Sequence, residues 1–410
     1  MLKALADPSV WRRFQSHKLA GGHLSQADAD SLEALISTGG YLPVVEQLCR
    51  GESFAPPHKS EISKQNSGKK RIVYTYPDTE NWVLKVLTYL LQRKYDHLFA
   101  DNLYSFRPGK GVHDAVRRLT RFPGIRHLWS YKADISNYFN SVPVEQMLPI
   151  MEKTLADQPE VCRFLKSLLD NPLVEENGKL IPEEKGIMAG TPISSFLANL
   201  YLSHVDSYFA KRGILYARYS DDVILFCETK EALDGEVAQL HHFLTEAGLT
   251  INPEKQTYTA PGQMWTFLGV SYHNGIIDVA PVSVEKLKSK MRRKTRALAR
   301  WQARKGLKGA QAAKAYVRVF NRKLFENTAE HELTWTLWYF PLINTTRSLQ
   351  VIDEYSQSCI RYLATGKRTK SAYNFRYEDI KALGYISLVN DYYKHKKATA
   401  EKFDSKGTKE

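Results

Sequence analysis

Tyr219-Ser220-Asp221-Asp222 sets two adjacent carboxylates inside an apolar, β-branched and aromatic run, residues 214–226 (ILYARYSDDVILF). Such a run spells two short strands joined by a tight turn. Two aspartates at the tip of a buried hairpin repel each other and lose hydration. A divalent cation shared with a third carboxylate offsets both costs. Mg²⁺ suits this role, because it takes one or two carboxylates and leaves positions for phosphates and water. An Asp-Asp pair alone is more often a turn-capping device. Strands on both sides, with no Gly or Pro at the tip, weigh against that reading.

A second segment supplies the missing acid. Asp134 ends a strand-like run after His127 and precedes a helix start at Pro143, with Ile135, Tyr138, Phe139 and Asn140 between. A lone Asp there is ordinarily a helix-entry residue. With aromatics at the fourth and fifth positions beyond it, Asp134 becomes the third metal ligand, the Ile135 carbonyl a backbone ligand, and Phe139 a platform under the sugar of an incoming nucleotide.

In their order these segments resemble the reverse transcriptases. The carriers are Asp134-Ile-Ser-Asn-Tyr-Phe139, then the block at residues 185–199 (KGIMAGTPISSFLAN), then Tyr219-Ser-Asp-Asp222. Many family members carry Gln ahead of the first Gly of the middle block. This chain has Lys185, for which a surface lysine and a functional one are equal readings. The resemblance implies an α+β right-hand polymerase with fingers, ferredoxin-like palm and helical thumb. It implies a catalytic set of Asp134, Asp221, Asp222 and Lys255, the last protonating or stabilising the leaving pyrophosphate. Lys64, Lys69 and Arg71 of the fingers, with Ser136, Asn137, Tyr138, Phe139, Gly190 and Pro192, are implied to hold the nucleotide. Gly186 and Gly190 are expected to let the backbone approach template and nucleotide. Arg107, in residues 102–115 (NLYSFRPGKGVHDA), is expected along the template, and Tyr219, Leu268 and Gly269 at the primer.

The chemistry implied is two-Mg²⁺ nucleotidyl transfer. The ions clamp an in-line displacement of pyrophosphate from a dNTP, which needs no covalent nucleophile. A bulky Phe139 ring against C2′ makes the expected product cDNA.

Charge fits a polyanionic partner. The net charge is +14, and it is concentrated. Residues 286–323 hold 15 of the 58 Lys and Arg and no acid; the 43 left meet 44 Asp and Glu. Leu287, Met291, Leu298 and Trp301 fall near helical spacing, so the run reads as a basic amphipathic helix. Arg292, Arg293, Lys294, Arg296, Arg300 and Arg304 are the expected phosphate contacts, giving affinity and salt dependence rather than sequence choice.

The expected organisation is a helical extension over residues 1–55, fingers and palm over 56–280, a basic helical thumb over 281–400 and a frayed polar tail over 401–410. Ser25 caps a helix, and Asn177-Gly178 marks a type I′ hairpin. The four cysteines are scattered, without a Cys-x-x-Cys pair; a zinc site or disulfide framework is not expected, and most are expected to be buried thiols. With no run of 18 apolar residues and no signal peptide, a soluble cytoplasmic protein is expected.

Towards the C-terminus, Trp335, Trp338, Tyr377 and Gly384 lie in segments similar to the thumbs of group II intron-like enzymes. The overall likeness is to bacterial defence-associated reverse transcriptases, their second class included, which copy a dedicated noncoding RNA. Retron-like and maturase-like enzymes, an RNA-directed RNA polymerase and a non-catalytic RNA-binding protein are the alternatives.

Overall fold

The computed structural model describes residues 1–21, 24–63, 70–307, 309–326 and 334–407. The chain divides into two compact units, Met1–Pro261 and Gly262–Glu410.

The first unit opens with three helices, Pro8–Ala20, Gln26–Thr38 and Leu42–Cys49. Ser25 caps the second, its Oγ accepting from the Asp28 amide at 3.0 Å, so one orphan donor of the first turn is satisfied. Eight strands follow in the order β1 (His58–Ser63), β2 (Lys70–Thr75), β3 (Trp129–Asp134), β4 (Leu173–Glu176), β5 (Lys179–Pro182), β6 (Leu215–Tyr219), β7 (Asp222–Cys227) and β8 (Thr257–Thr259). They form two sheets, β2-β1-β4-β5 and β6-β7-β3-β8. The β4–β5 turn has positive φ at both Asn177 (53°) and Gly178 (79°), as a type I′ hairpin requires.

The second sheet carries the central strands. β7 is buried from Val223 to Cys227, because helix Lys230–Glu246 packs on β3 and β7. Helix Ser194–Tyr201 is buried at every residue but Ser195, which is half-buried, so the apolar run after Pro192 is core. An isolated parallel bridge joins Leu103 to Arg218, and residues 102–104 thereby extend the sheet beyond β6.

The second unit begins with β9 (Trp265–Phe267), β10 (Val270–His273) and β11 (Ile276–Val279), joined in the order β11-β10-β9. The unit starts at residue 262, ahead of residue 281 where the thumb was expected, because these hairpins bond to residues that flank the helices after them. Ala280 donates to the Gly269 carbonyl and Asn344 to that of Ile277. Helices Pro281–Lys305, Gly309–Phe325 and Arg347–Thr365 pack against one another, and Leu388–Gly407 lies on the third. That last helix continues to Gly407, into the segment expected to fray from residue 401. The basic run occupies two helices rather than one, since Gly306 at φ 63° ends the first.

Cys227 and Cys359 are buried, Cys162 is half-buried and Cys49 is exposed, so the cysteines are less buried than expected. Among the described residues, no helix is long and apolar enough to cross a membrane.

Candidate active site

Antiparallel pairing builds the acidic centre. In the β3–β7 register Asp134 stands opposite Asp222, and in the β6–β7 hairpin Tyr219 stands opposite Asp222. Ser220 and Asp221 form the tip, with Ser220 at φ 59°. The Ile135 amide donates to the Asp221 carbonyl at 2.9 Å, fixing the end of β3 to the hairpin. Asp134 and the distant pair Asp221–Asp222 therefore share one corner of the sheet.

The electrostatics agree with that placement. Burial raises the Asp221 carboxyl, Asp134 raises it further, and Lys255 and Arg71 oppose the rise. Burial lifts Asp222 to about 6, with Asp221 and Asp134 adding to it and Lys132 and Lys255 pulling it down. Both shifts penalise the charged form, as expected for buried carboxylates crowded against one another. Lys255 Nζ lies 2.7 Å from Asp134 Oδ1. Among the described residues no three acidic or soft ligands are already drawn into a metal-binding cluster; Asp134 is turned to Lys255 instead. The donor set, three carboxylates with no thiolate or imidazole, fits a hard divalent cation, provided Asp134 exchanges its lysine for the ion.

Beneath the tip lies a network that sequence reasoning missed. Arg218 and Asp206 are both fully buried and joined by two bonds, Nε–Oδ1 at 2.8 Å and Nη2–Oδ2 at 2.5 Å. Arg218 also donates to the Ser220 carbonyl at 3.3 Å. The Ser220 amide donates to Ser105 Oγ at 2.9 Å, and that hydroxyl donates to Asn199 Oδ1 at 3.0 Å. Both backbone groups of Ser220 are thus held, which stabilises a left-handed conformation rare outside Gly.

The fingers and middle block correct several expectations. Lys64 and Lys69 lie outside the described residues. Arg71, exposed on β2, acts on Asp221. Tyr138 is buried, its hydroxyl donating to the Ala198 carbonyl at 2.5 Å, so it is a core residue rather than a nucleotide contact. Ser136 is tied through its amide to the Thr250 carbonyl, and Asn137 is exposed at φ 46°. Phe139 and Pro192 are half-buried. Asn140 joins two segments: its Nδ2 donates to Ile72 on β2, and its Oδ1 accepts from Ala189.

Gly186 and Gly190 make room for protein, not substrate. A Cβ on Gly186 would stand 2.5 Å from the Phe139 carbonyl oxygen, and one on Gly190 2.9 Å from that of Tyr74. Lys185 is buried rather than on the surface, bonded to the Leu169 and Asn171 carbonyls, and burial lowers its amine. Arg107 does not lie along a template groove. Its side chain is 4% exposed, and it clasps Asp96 while donating to the carbonyls of Ala100 and Leu103. One guanidinium satisfying that many acceptors holds the loop together.

A family model described as reverse transcriptase (RNA-dependent DNA polymerase) matches residues 62–272, about half of the chain. This chain belongs to the reverse transcriptases. It is 29% identical over 271 residues to an uncharacterized 91 kDa protein in a cob intron of Schizosaccharomyces pombe, covering 50% of this chain and 32% of that one. It is 25% identical over 203 residues to the group II intron-encoded protein LtrA of Lactococcus lactis, covering 49% of this chain and 33% of LtrA. The chain thus spans about a third of the length of these curated relatives. Among solved structures, an apo telomerase from Candida tropicalis truncated of its C-terminal domain aligns over 55% of this chain and 56% of its own, at 12% identity and TM-score 0.45.

In this reverse transcriptase the residues expected at the primer and duplex lie in the second unit, apart from Tyr219. Leu268 (φ 49°) and Gly269 (φ 83°) form the two-residue β9–β10 turn. Gly269 is needed for packing, since a Cβ there would meet the Tyr339 hydroxyl at 2.9 Å. Helix Pro281–Lys305 buries Val284, Leu287, Met291, Thr295 and Leu298. Arg292, Arg293, Arg296, Arg300 and Arg304 are exposed and Lys294 half-buried. Exposed guanidiniums opposite an apolar seam suit phosphate contact. Replacing Arg292, Arg293 and Arg296 together by Ala is expected to weaken template–primer binding and to flatten the log–log salt slope by roughly 2 to 3. Titration at several salt concentrations checks this, and an unaltered slope removes these side chains from the duplex contact.

Proposed function

We propose that this reverse transcriptase copies an RNA template into DNA from dNTPs, using two Mg²⁺ ions held by Asp134, Asp221, Asp222 and the Ile135 carbonyl. The observation that carries the reading is the register that sets Asp134 against Asp222 beside Asp221. Bound there, the metals supply Lewis-acid activation of the primer hydroxyl and charge neutralisation on the triphosphate. The protein positions the groups. Arg71 steers the triphosphate towards the acidic corner, and Phe139 bears on the sugar face and disfavours a 2′-hydroxyl. Lys255, 2.7 Å from Asp134 at the same corner, is the side-chain cation that would stabilise or protonate the leaving pyrophosphate.

Asp134→Ala is expected to lower primer extension roughly thousandfold or more, the loss of several kcal/mol of transition-state stabilisation. Template binding stays near wild type. Parallel extension and filter-binding assays check this; loss of binding to the same degree makes Asp134 structural. Preference for ribonucleotides in the wild-type assay replaces this reading with an RNA-directed RNA polymerase. Full biological activity in an Asp221→Ala, Asp222→Ala variant replaces it with a non-catalytic RNA-binding protein.

The proposal extends to a dedicated noncoding RNA as template and to anti-phage defence in the cytoplasm. This extension rests on the overall likeness of the chain to that class. Sequencing the nucleic acid that copurifies with the protein tests it: one enriched RNA and its complementary DNA support it, and a random sample of cellular RNA overturns it.

A further inference from the structure

Phe106 is a large apolar side chain in an unfavourable backbone conformation, and it is not buried. Its φ is 54° and it is 37% exposed. Bulky residues adopt positive φ only where their surroundings over-determine it. Here both neighbours are pinned. Ser105 Oγ accepts from the Ser220 amide and donates to Asn199, while Arg107 is locked to Asp96 and two carbonyls. Upstream, the Tyr104 amide donates to the Arg218 carbonyl, so the segment is fastened to β6. The loop is anchored on both sides of a ring that it pushes outward.

That ring stands between two others. Its centroid lies 6.4 Å from that of Phe139, edge to face, and 6.3 Å from that of Tyr219. Both distances lie within the range of attractive aromatic pairs. Phe139 itself is only half-buried and sits on the short helix Tyr138–Ser141. A platform that must exclude one oxygen atom needs a backing, because a ring free to tilt admits the extra hydroxyl.

We propose that Phe106 is a positioning residue that backs Phe139, so that discrimination between deoxyribose and ribose depends on both rings. This rests on the reading of Phe139 as the sugar platform. Phe106 acts on the sugar through Phe139, and the anchors at Ser105 and Arg107 hold its strained backbone so that the ring stays where the pair needs it.

The test compares kcat/KM for a dNTP and the matching rNTP in wild type, Phe106→Ala, Phe106→Tyr, Phe139→Ala and the Phe106→Ala, Phe139→Ala double variant. Phe106→Ala is expected to lower discrimination about tenfold, mostly by raising rNTP incorporation. Phe106→Tyr is expected to retain wild-type discrimination. Because the rings act in series, the double variant is expected to be no less selective than Phe139→Ala alone. Should Phe106→Ala fail to fold, Phe106→Leu carries the same comparison with apolar volume kept and the ring removed. Loss of discrimination in Phe139→Ala but not in the Phe106 variants overturns the proposal alone. Unchanged discrimination in Phe139→Ala overturns the platform reading and the backing role with it.

Discussion

Asp222→Asn is expected to stabilise the metal-free protein while abolishing its synthesis of DNA. Asp222 is raised from 3.8 to about 6 by burial and by the charges of Asp221 and Asp134. The folded state therefore holds this proton more tightly than the unfolded chain. Its contribution to stability is complete below about pH 3.8 and is lost as pH rises through about 6. Around pH 8 the ionised Asp222 forgoes on the order of 3 kcal/mol relative to its protonated form. An amide does not ionise and recovers part of that, so melting in EDTA should move upward by a few degrees. The wild-type melting temperature in EDTA should fall between pH 4 and pH 7 at this site, and the variant should fall less. Mg²⁺ should raise the wild-type melting temperature, because it binds only the folded state, and should raise the variant's much less. Primer extension should drop roughly thousandfold. A variant that melts lower than wild type in EDTA at pH 8 would show that Asp222 is held by favourable contacts, not crowded against its neighbours.

How much of this site could be read from sequence depends on how far each piece reaches. The hairpin at Asp221 and Asp222 and the strand ending at Asp134 are local patterns, and apolar alternation with a turn was enough to find them. The Asn177-Gly178 hairpin and the Ser25 cap are local in the same way. The template role expected of Arg107 comes from the resemblance of residues 102–115 to a reverse transcriptase block; its partner Asp96 is settled by how the chain folds back. The glycines were given to substrate for a similar reason: a sequence shows that a backbone comes close, not to what. Arg218 does carry a signal in the sequence. It lies in β6, whose other residues Leu215, Tyr216 and Ala217 are buried, and a charge in such a strand requires a buried partner. Nothing local names Asp206 as that partner. Lys132, two residues before Asp134, was equally visible, since β-strand alternation puts it on the Asp134 face.

The Arg218–Asp206 pair yields the other large effect. Asp206→Ala leaves a guanidinium uncompensated at a site with no exposure, a change expected to cost about 3–5 kcal/mol. Loss of activity in that variant would say little, since instability alone explains it. The informative variant is Asp206→Leu with Arg218→Met, which fills the space with apolar atoms. Buried ion pairs replaced in this way commonly lose little stability or gain some, so most of the deficit is expected to return. Polymerase activity is expected to stay at least about tenfold below wild type. The Ser220 carbonyl then lacks its guanidinium donor, and a left-handed Ser220 costing roughly 1–3 kcal/mol rests on the Ser105 hydroxyl alone. Relaxation there moves Asp221, the next residue, relative to Asp134. The loss should therefore fall on kcat and on the Mg²⁺ concentration needed for half-maximal rate, with KM for the template–primer unchanged. Chemical denaturation alongside extension at graded Mg²⁺ separates the two contributions. Full activity at ordinary Mg²⁺ in the double variant would mean that the pair serves packing and that the hairpin holds its own shape.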